Sequence, residues 1–189
     1  EMNIRDWSSD VCSSDLGYNP WHADCVDTIC ERSIPTVMGN HDRAVAGEDG
    51  FGFNSQAGAG VRHACETLGQ GQLEWLRTLP DERVACNGRV KVVHGHPEDP
   101  DRYTFPADFA AGLLGEEDVL VLGHTHIQHH AVFEEGIVVN PGSVGQPRDG
   151  DPRAAYAVLD VDEMRVEEHR TQYDINRVVD AVADAGLPA

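Results

Sequence analysis

Three short apolar runs, each followed at once by a motif rich in histidine, constrain the fold of this chain more than any other feature. Apolar runs of this length, bounded by turn residues, are typical of buried strands. In an open α/β sheet, ligands bind outside the carboxyl ends of the strands. The polar residues that follow the runs are therefore expected to meet at one edge of a sheet. The runs span residues 34–38, 91–93 and 119–122, and the motifs are Gly39-Asn40-His41-Asp42, His94-Gly95-His96 and Gly123-His124-Thr125-His126.

The residue types in these motifs indicate a metal site. A lone histidine after a strand is usually a capping or hydrogen-bonded residue, and a Gly-Asn pair is usually a turn. Three such motifs in the same relation to apolar runs favour a shared ligand instead. An amide oxygen combined with neutral imidazoles suits manganese, iron, zinc or nickel, whereas calcium and magnesium prefer oxygen shells. A structural zinc would need four closed ligands, usually including thiolates.

The charge balance limits the partners that this chain can bind. Its 189 residues carry a formal net charge of −19 at pH 7, and Lys91 is its only lysine. Nucleic-acid backbones and anionic membranes both attract clustered Lys and Arg, so neither is an expected partner. The length fits one domain with a sizeable core.

The cysteines indicate a reducing compartment. Their number is odd and no two have the short C-x-x-C spacing, which favours reduced, mostly buried thiols in a cytoplasmic protein. No apolar run reaches the ~18 residues of a membrane span. The five cysteines are Cys12, Cys25, Cys30, Cys65 and Cys86.

Hydrophobic periodicity predicts an α/β fold in which two packed sheets form a β-sandwich flanked by helices. The turn Asn87-Gly88 is a strong hairpin signal between two of the strands. Helices are expected at residues 23–32, 55–68, 70–79, 107–114 and 175–185. Strands are expected at residues 34–38, 83–86, 89–94, 119–122, 131–134, 137–140, 154–160 and 165–171.

Residues 1–16 differ from the rest of the chain. Ser8-Ser9-Asp10-Val11-Cys12 is echoed by Ser13-Ser14-Asp15-Leu16, with neither helix nor strand periodicity. A disordered polar tail would have this character, although the repeat more closely resembles translated sequencing-adapter read-through. We therefore interpret residues 1–16 as a non-native or disordered segment and set it aside. The domain is expected over residues 17–189, truncated at its N-terminus and without its first strand.

Together, the motifs resemble those of the calcineurin-like metallophosphoesterases, in particular the small single-domain prokaryotic phosphodiesterases and phosphatases. The similarity runs from Gly17 to about Asp160 and includes a fourth motif, Asn140-Pro141-Gly142-Ser143. It implies a two-sheet sandwich with helices outside, in agreement with the predicted strands. It also implies hydrolysis of phosphate esters at a site with two divalent metal ions, with manganese the first choice and iron, zinc or nickel as alternatives.

The resemblance assigns roles to individual residues. His41 would face the substrate phosphate, as general acid or as a stabiliser of the transition state. Asp42 would orient the His41 ring through a ring N–H hydrogen bond. Two cations ~3.5–4 Å apart would neutralise phosphate oxygens and generate the attacking hydroxide from a bridging water. The implied metal ligands are Asn40, His94 and His124 for one ion and His126 for the other.

Two motifs of the family have no counterpart in this sequence. One is an Asp-x-His on the first strand, and the other is a Gly-Asp whose carboxylate bridges both ions. Both belong upstream of Gly17, where the foreign-looking segment lies. Asp15 is one residue too close to Gly17 to match the bridging carboxylate. An enzyme of this family with these ligands missing is expected to be impaired.

Several other polar residues near the motifs need an interpretation. His96 is expected to be an exposed loop residue unless it touches substrate. Arg148 could pair with phosphate through two parallel hydrogen bonds, or it could lie on a surface loop. Trp21 and His22 are expected to pack rather than bind a ligand. Ser143 is not expected to be a nucleophile, since no base partner marks it, and the Asn140-Pro141-Gly142-Ser143 turn is expected to shape the pocket wall.

Two functions of another class stay open. The chain could be a non-catalytic scaffold that keeps the fold and binds a partner, although a scaffold would have no use for the retained site histidines. It could also be a hydrolase with the zinc β-lactamase fold. That fold would need a His-x-His-x-Asp-His run, which the sequence lacks.

Overall fold

The computed structural model describes residues 20–47 and 55–188. The segment 1–16 and Asp15 lie outside the described residues. The helices in this part of the chain are α1 (His22–Glu31), α2 (Asn40–Gly47), α3 (Ser55–Thr67), α4 (Gln70–Arg77) and α5 (Ile175–Asp184). The strands are β1 (Glu82–Ala85), β2 (Val90–Val93), β3 (Val119–Val121), β4 (His129–Val132), β5 (Ile137–Asn140), β6 (Ala154–Asp160) and β7 (Arg165–Thr171).

A five-stranded sheet lies at the centre of the described structure, in the order β1-β2-β3-β5-β4. The three inner strands β2, β3 and β5 are parallel, whereas β1 and β4 are antiparallel to their neighbours. The inner strands are almost entirely buried, as expected for parallel strands covered on both faces. Their carboxyl ends share one edge of the sheet, and two of the histidine motifs follow directly from it.

Each face of this sheet has its own core, because successive side chains of a strand point to opposite faces. On one face, Val119 and Val139 pack against Val161, at the turn between β6 and β7. On the other, Leu120 and Val138 pack against Phe109, Leu113 and Leu114 from the segment before β3 and against Phe133 after β4. The antiparallel β6–β7 pair forms the second sheet. The predicted two-sheet α/β architecture is confirmed.

The helices α1 to α4 form a layer with an apolar core of its own. Val26 of α1, Val45 of α2 and Leu76 of α4 are fully buried in it. α2 begins at Asn40, where the side-chain oxygen Oδ2 of Asp42 accepts a hydrogen bond from the backbone N–H of Gly39 at 2.8 Å. An acidic residue at the third helical position is well placed to cap a helix in this way. This layer brings the Asn40 end of α2 to the edge of the central sheet.

Most predicted elements lie within two residues of their expected bounds, and the Asn87-Gly88 hairpin is confirmed by the β1–β2 pair. The predicted strand 34–38 is wrong within the described sheets. The backbone N–H of Met38 donates instead to the carbonyl of Pro80, and the carbonyl of Thr36 accepts from Nε of Arg83. Pro35 has no N–H to offer to a ladder.

Two further predictions differ from the structure. The helix α2 was not predicted, because its Gly-Asn start is typical of a turn. The predicted helix 107–114 is instead a pair of 3₁₀ turns, Pro106–Asp108 and Ala111–Leu113. Between them Phe109 and Ala110 are extended, which lets the Phe109 ring reach the core under the sheet.

Among residues 20–47 and 55–188, none of the four cysteines is in a disulfide, in agreement with the predicted thiols. The expectation that they are mostly buried is wrong, because Cys25 and Cys30 are exposed and the other two are half-buried. α1 buries Val26 and Ile29 toward the helical core, so Cys25 and Cys30 lie on its outer side. No helix within the same residues has the length and apolar character that crossing a bilayer requires.

Candidate metal centre

The carboxyl edge of the central sheet brings three polar segments together. His94 follows β2 directly, and the Gly123-His124-Thr125-His126 loop follows β3. The parallel β2–β3 pairing places the ends of these strands side by side. The first turn of α2 supplies Asn40. The convergence expected from the apolar runs is therefore present in the fold, although the first of the three segments arrives on a helix start rather than a strand.

Three atoms that could bind a metal ion meet at this edge. The Nε2 atom of His94 lies 3.0 Å from Oδ1 of Asn40 and 2.9 Å from Nδ1 of His124. His94 is fully buried and His124 is 5 % exposed, so bulk water does not separate these atoms. Burial, reinforced by the neighbouring imidazoles and Arg43, lowers the pKa of His94 well below its usual value, so its ring is neutral at pH 7.

The hydrogen bonds around His124 determine which of its nitrogens faces the other donors. Its Nε2 lies 3.2 Å from the carbonyl oxygen of Asp101, which can only accept a hydrogen bond. The proton of the neutral ring is therefore on Nε2, and Nδ1 carries the lone pair that points to His94. Burial lowers the pKa of His124 despite the opposing bond to Asp101. A neutral ring with one N–H on a backbone carbonyl is the usual state of a metal-binding histidine.

This donor set fits a divalent cation. Nε2 of His94 lies within 3.0 Å of both the amide oxygen of Asn40 and Nδ1 of His124, so the lone pairs of these atoms would repel unless a proton or a cation is shared among them. Within the described residues no group of three or more His, Cys, Asp or Glu side chains is arranged to hold a metal ion. The described part of the centre is thus two imidazoles and one amide.

The His126 side chain, in the same loop, has different hydrogen-bond partners from those of His124. Its Nδ1 lies 2.9 Å from the carbonyl oxygen of Gln146, so in the neutral ring Nδ1 donates and Nε2 carries the lone pair. It is 2 % exposed and interacts electrostatically with His41 and His94. His126 therefore lies beside the Asn40–His94–His124 group. Its Nε2, the nitrogen that carries the lone pair, is the one that is not bonded to Gln146.

Both loop histidines adopt a backbone conformation that side chains rarely take. The φ angle is +59° at His124 and +60° at His126. The left-handed region is unfavourable for residues other than glycine and persists only where the surroundings hold it. Such strain is concentrated at functional sites. Here the strained backbone allows two imidazole side chains to project from one short loop.

Asn140, at the end of β5, holds this loop in place. It is fully buried, and its Nδ2 donates to the carbonyl of Gly123 at 2.7 Å and to Oγ1 of Thr125 at 2.9 Å. Its Oδ1 accepts from the backbone N–H of Gly142 at 2.9 Å. Gly142 has a φ of +84°, which favours glycine in this turn. Asn140 is therefore a positioning residue rather than a wall residue alone.

The loop between β2 and the first 3₁₀ turn was not predicted to contribute, yet it covers His124. The Tyr103 ring lies on the His124 ring, with 3.9 Å between the ring centroids. The loop can approach this closely because any side chain at Gly95 would collide with the carbonyl oxygens of Pro100 and Arg102. The glycine inside His94-Gly95-His96 was the one sequence signal that could have indicated a close backbone approach.

His41 is also buried beside the centre, 3 % exposed. Burial, with smaller effects from His126, Arg148 and His124, lowers the pKa of His41 from 6.5 to about 3. Asp42 is fully buried and its described hydrogen bond is the one to the N–H of Gly39. That bond fixes the start of α2 and, with it, the direction of both Asn40 and His41.

The remaining predicted residues have varied positions. His96 is not exposed as expected: it is 7 % exposed in a tight turn with Asp99, and its Nδ1 accepts from the N–H of Glu98 at 3.1 Å. Ser143 is buried and its Oγ accepts from the N–H of Gln146, which agrees with a role in the pocket wall. Arg148 is exposed, and its backbone N–H donates to the carbonyl of His126.

The fold and the histidine motifs are those expected of a calcineurin-like phosphoesterase domain. The calcineurin-like phosphoesterase superfamily domain matches residues 11–164 of the chain. The chain belongs to this superfamily. The match includes Asn40, His41, His94, His124 and His126.

Similar proteins agree with this membership. An uncharacterized protein of Methanocaldococcus jannaschii is 29 % identical, over 94 % of this chain and 81 % of its own length. The phosphodiesterase YfcE of Escherichia coli is 36 % identical over 56 % of this chain, which spans about half (54 %) of that relative. The crystal structure of a metallophosphoesterase from Sphaerobacter thermophilus superposes with a TM-score of 0.77 at 32 % identity, over 91 % of this chain and 80 % of that one.

Proposed function

We propose that this protein is a metal-dependent phosphoric ester hydrolase, acting as a phosphodiesterase or phosphatase with a dinuclear metal site. The observation that carries the proposal is the approach of Oδ1 of Asn40 and Nδ1 of His124 to within 3.0 Å of the buried Nε2 of His94, with His124 held in a strained backbone conformation. Family membership supports a divalent metal ion at this place.

The donors divide between two ions. Asn40, His94 and His124 would hold one ion, and His126, through the nitrogen not bonded to Gln146, would hold the other. When bound, the ions would neutralise phosphate oxygens and supply the nucleophile by lowering the pKa of a water molecule. The mixture of one amide oxygen with imidazoles is compatible with manganese, iron, zinc or nickel. We propose manganese as the first choice.

His41 and Arg148 would handle the substrate phosphate. With a pKa of about 3 in the free protein, the His41 ring is neutral at pH 7 and can donate one ring N–H to a phosphate oxygen. This favours stabilisation of the transition state by hydrogen bonding over proton donation by an imidazolium. The guanidinium of Arg148 lies close enough to affect the pKa of both His41 and His124, which places a positive charge at the exposed rim of the site.

The surface charge supports a small substrate. A net charge of −19 opposes binding to polyanions such as nucleic acids and to anionic membranes. A small phosphate ester would meet the local charges of Arg148 and the metal ions instead. The odd number of cysteines and the lack of a C-x-x-C pair in the sequence are compatible with action in the reducing cytoplasm.

We also propose that the two ions are held unequally. Three ligands, Asn40, His94 and His124, are assigned to one ion, whereas His126 alone is assigned to the other. The ion held by Asn40, His94 and His124 is expected to bind more tightly. A ratio of one tightly held ion per chain is therefore expected.

The test combines metal analysis with two assays. After loading with Mn²⁺ and gel filtration, metal content is measured by mass spectrometry, and hydrolysis of bis-p-nitrophenyl phosphate and p-nitrophenyl phosphate is followed by absorbance. We expect hydrolysis that a chelator abolishes, with about one ion per chain retained after gel filtration. Bound metal without hydrolysis of either ester would favour the scaffold alternative. Two ions held equally tightly would contradict the proposed unequal binding.

A further inference from the structure

Two exposed aromatic rings stand directly beside the candidate metal centre. The Tyr103 ring, 48 % exposed, lies on the His124 ring with 3.9 Å between centroids. The Phe105 ring, 46 % exposed, lies nearly parallel to Tyr103, with centroids 5.7 Å apart and an interplanar angle of 11°. The pair thus extends from a candidate metal ligand outward to solvent. We refer to Tyr103 and Phe105 as the aromatic platform.

The platform is held by the backbone on both sides. Thr104, between the two rings, is buried, and its Oγ1 donates to the carbonyl of Gly95 at 3.0 Å. The backbone N–H of Phe105 donates to Oδ2 of Asp108, and the N–H of Asp108 donates back to the carbonyl of Phe105. In an extended segment, residues two apart share a side. Tyr103 and Phe105 are therefore presented together while Thr104 is anchored inside.

From this arrangement we infer that the site takes phosphate esters that carry a planar aromatic group close to the phosphate, such as a nucleoside, and that the platform stacks on that group. The inference rests on the proposed function, because the phosphate must lie at the candidate metal centre. A rigid aromatic surface is suited to a nucleobase, since every base has a face that can stack. Preorganisation lowers the entropy cost of binding.

The charges around the platform favour an uncharged ring over a second phosphate. Glu98, Asp99 and Asp101 precede it on the same loop and outnumber the one cation there, Arg102. Asp101 is exposed and lies within 3.9 Å of Arg43. The acidic side chains would repel a polyphosphate that extended in this direction. A nucleoside monophosphate ester has a single phosphate for the centre and a neutral ring for the platform.

The experiment compares two ligands that differ only in the base. Adenosine 5′-monophosphate and ribose 5-phosphate are titrated into the Mn²⁺-loaded chain by calorimetry, which does not depend on turnover. Base stacking predicts roughly 5- to 150-fold tighter binding of the nucleotide. The variant Phe105→Ala should bring this ratio close to one and leave the affinity for ribose 5-phosphate unchanged. Tyr103→Phe keeps the ring and should keep the ratio.

The matched control is Tyr173→Ala, which removes a similarly exposed aromatic residue outside this loop and should leave the ratio unchanged. Equal affinity of the wild-type chain for both ligands would overturn the platform and leave the proposed hydrolase intact. A ratio that Phe105→Ala does not change would also overturn it. Failure of both ligands to bind would overturn the platform and count against a phosphate site altogether, so the two failures are distinguishable.

Discussion

Two pairs of contacting histidines lie in the described part of this molecule, one at the edge of the central sheet and one among the helices. His94 and His124 meet edge to face with 4.6 Å between ring centroids, and His22 and His63 meet at 5.3 Å. His94 and His22 are both essentially buried, and burial is the first cause of the lowered pKa of each. By burial and pKa alone, the pairs would look alike.

Their surroundings separate them. At the sheet edge, Oδ1 of Asn40 joins the two ring nitrogens, and the backbone of His124 is strained. Among the helices, His22 is the first residue of α1 on the face that buries Val26 and Ile29, and its Nε2 has no hydrogen-bond partner within residues 20–47 and 57–188. A buried imidazole is therefore not a ligand by itself. Convergence with other donors, held by strained backbone, is what marks a site.

Removing a ring from the sheet-edge pair should have the largest effect. In His94→Ala, the central donor of the three is lost, so Mn²⁺ affinity should fall by more than the ~10–100-fold typical of an outer-shell partner, and phosphodiester hydrolysis should drop to background. Metal binding by calorimetry and hydrolysis of bis-p-nitrophenyl phosphate measure both. His63→Ala, from the helical pair, is the matched control and should keep both. Equal losses in the two variants would contradict the claim that only the sheet-edge pair binds metal.

His41 tests whether a buried histidine can act at the site without holding metal. His41→Ala should lower kcat by about 100–1,000-fold, the usual effect of removing one hydrogen bond to a transition state. Metal content should stay unchanged. His41→Asn keeps an N–H donor and should recover part of the rate. A proportional loss of metal in His41→Ala would instead make His41 part of the ion's shell.

The sequence predicts the positions of His94 and His124 better than it predicts the segments that hold them in place. The apolar runs before His94 and His124 predict parallel strands, and parallel strands bring their following residues to one edge. Asn40 was also predicted, although its helix was not. An eight-residue helix has little intrinsic stability, so its formation depends on packing of residues such as Val45 that local pattern cannot foresee.

Contacts between distant segments of the chain could not be predicted from the sequence. Tyr103 lies on His124 only because the loop closes over Gly95, and the sequence gives no geometry for such a loop. The bonds of Asn140 to the Gly123–Thr125 turn depend on the β3–β5 register. The metal roles of the site residues stay predictions until metal binding is measured.

Asn140 tests whether the strained loop depends on its anchor. Asn140→Ala removes the donors to Gly123 and Thr125 and the acceptor for Gly142, which should lower Mn²⁺ affinity by about 10–100-fold. Ser143→Ala, which removes the described hydrogen bond from the N–H of Gln146, is the control and should retain affinity. If both variants lose only stability, measured by urea unfolding, Asn140 supports the fold and not the centre.

The helical pair offers the smallest effect and a different readout, the pH dependence of folding. Burial, with a smaller effect of His63, lowers the pKa of His22 from 6.5 to about 4, so the unfolded chain binds more protons than the folded one between these values. The titration of His22 therefore does not lower the free energy of unfolding above pH 6.5, and it lowers it progressively as the pH drops toward 4. Between pH 7.5 and 5.5 the free energy of unfolding should lose about 1.4 kcal/mol that His22→Leu does not lose. Both chains are measured by urea unfolding without metal, so that the other buried histidines contribute equally and cancel. An identical pH dependence in both would mean that the His22 ring is not held neutral by its burial, and the two pairs would then differ in electrostatics as well as in surroundings.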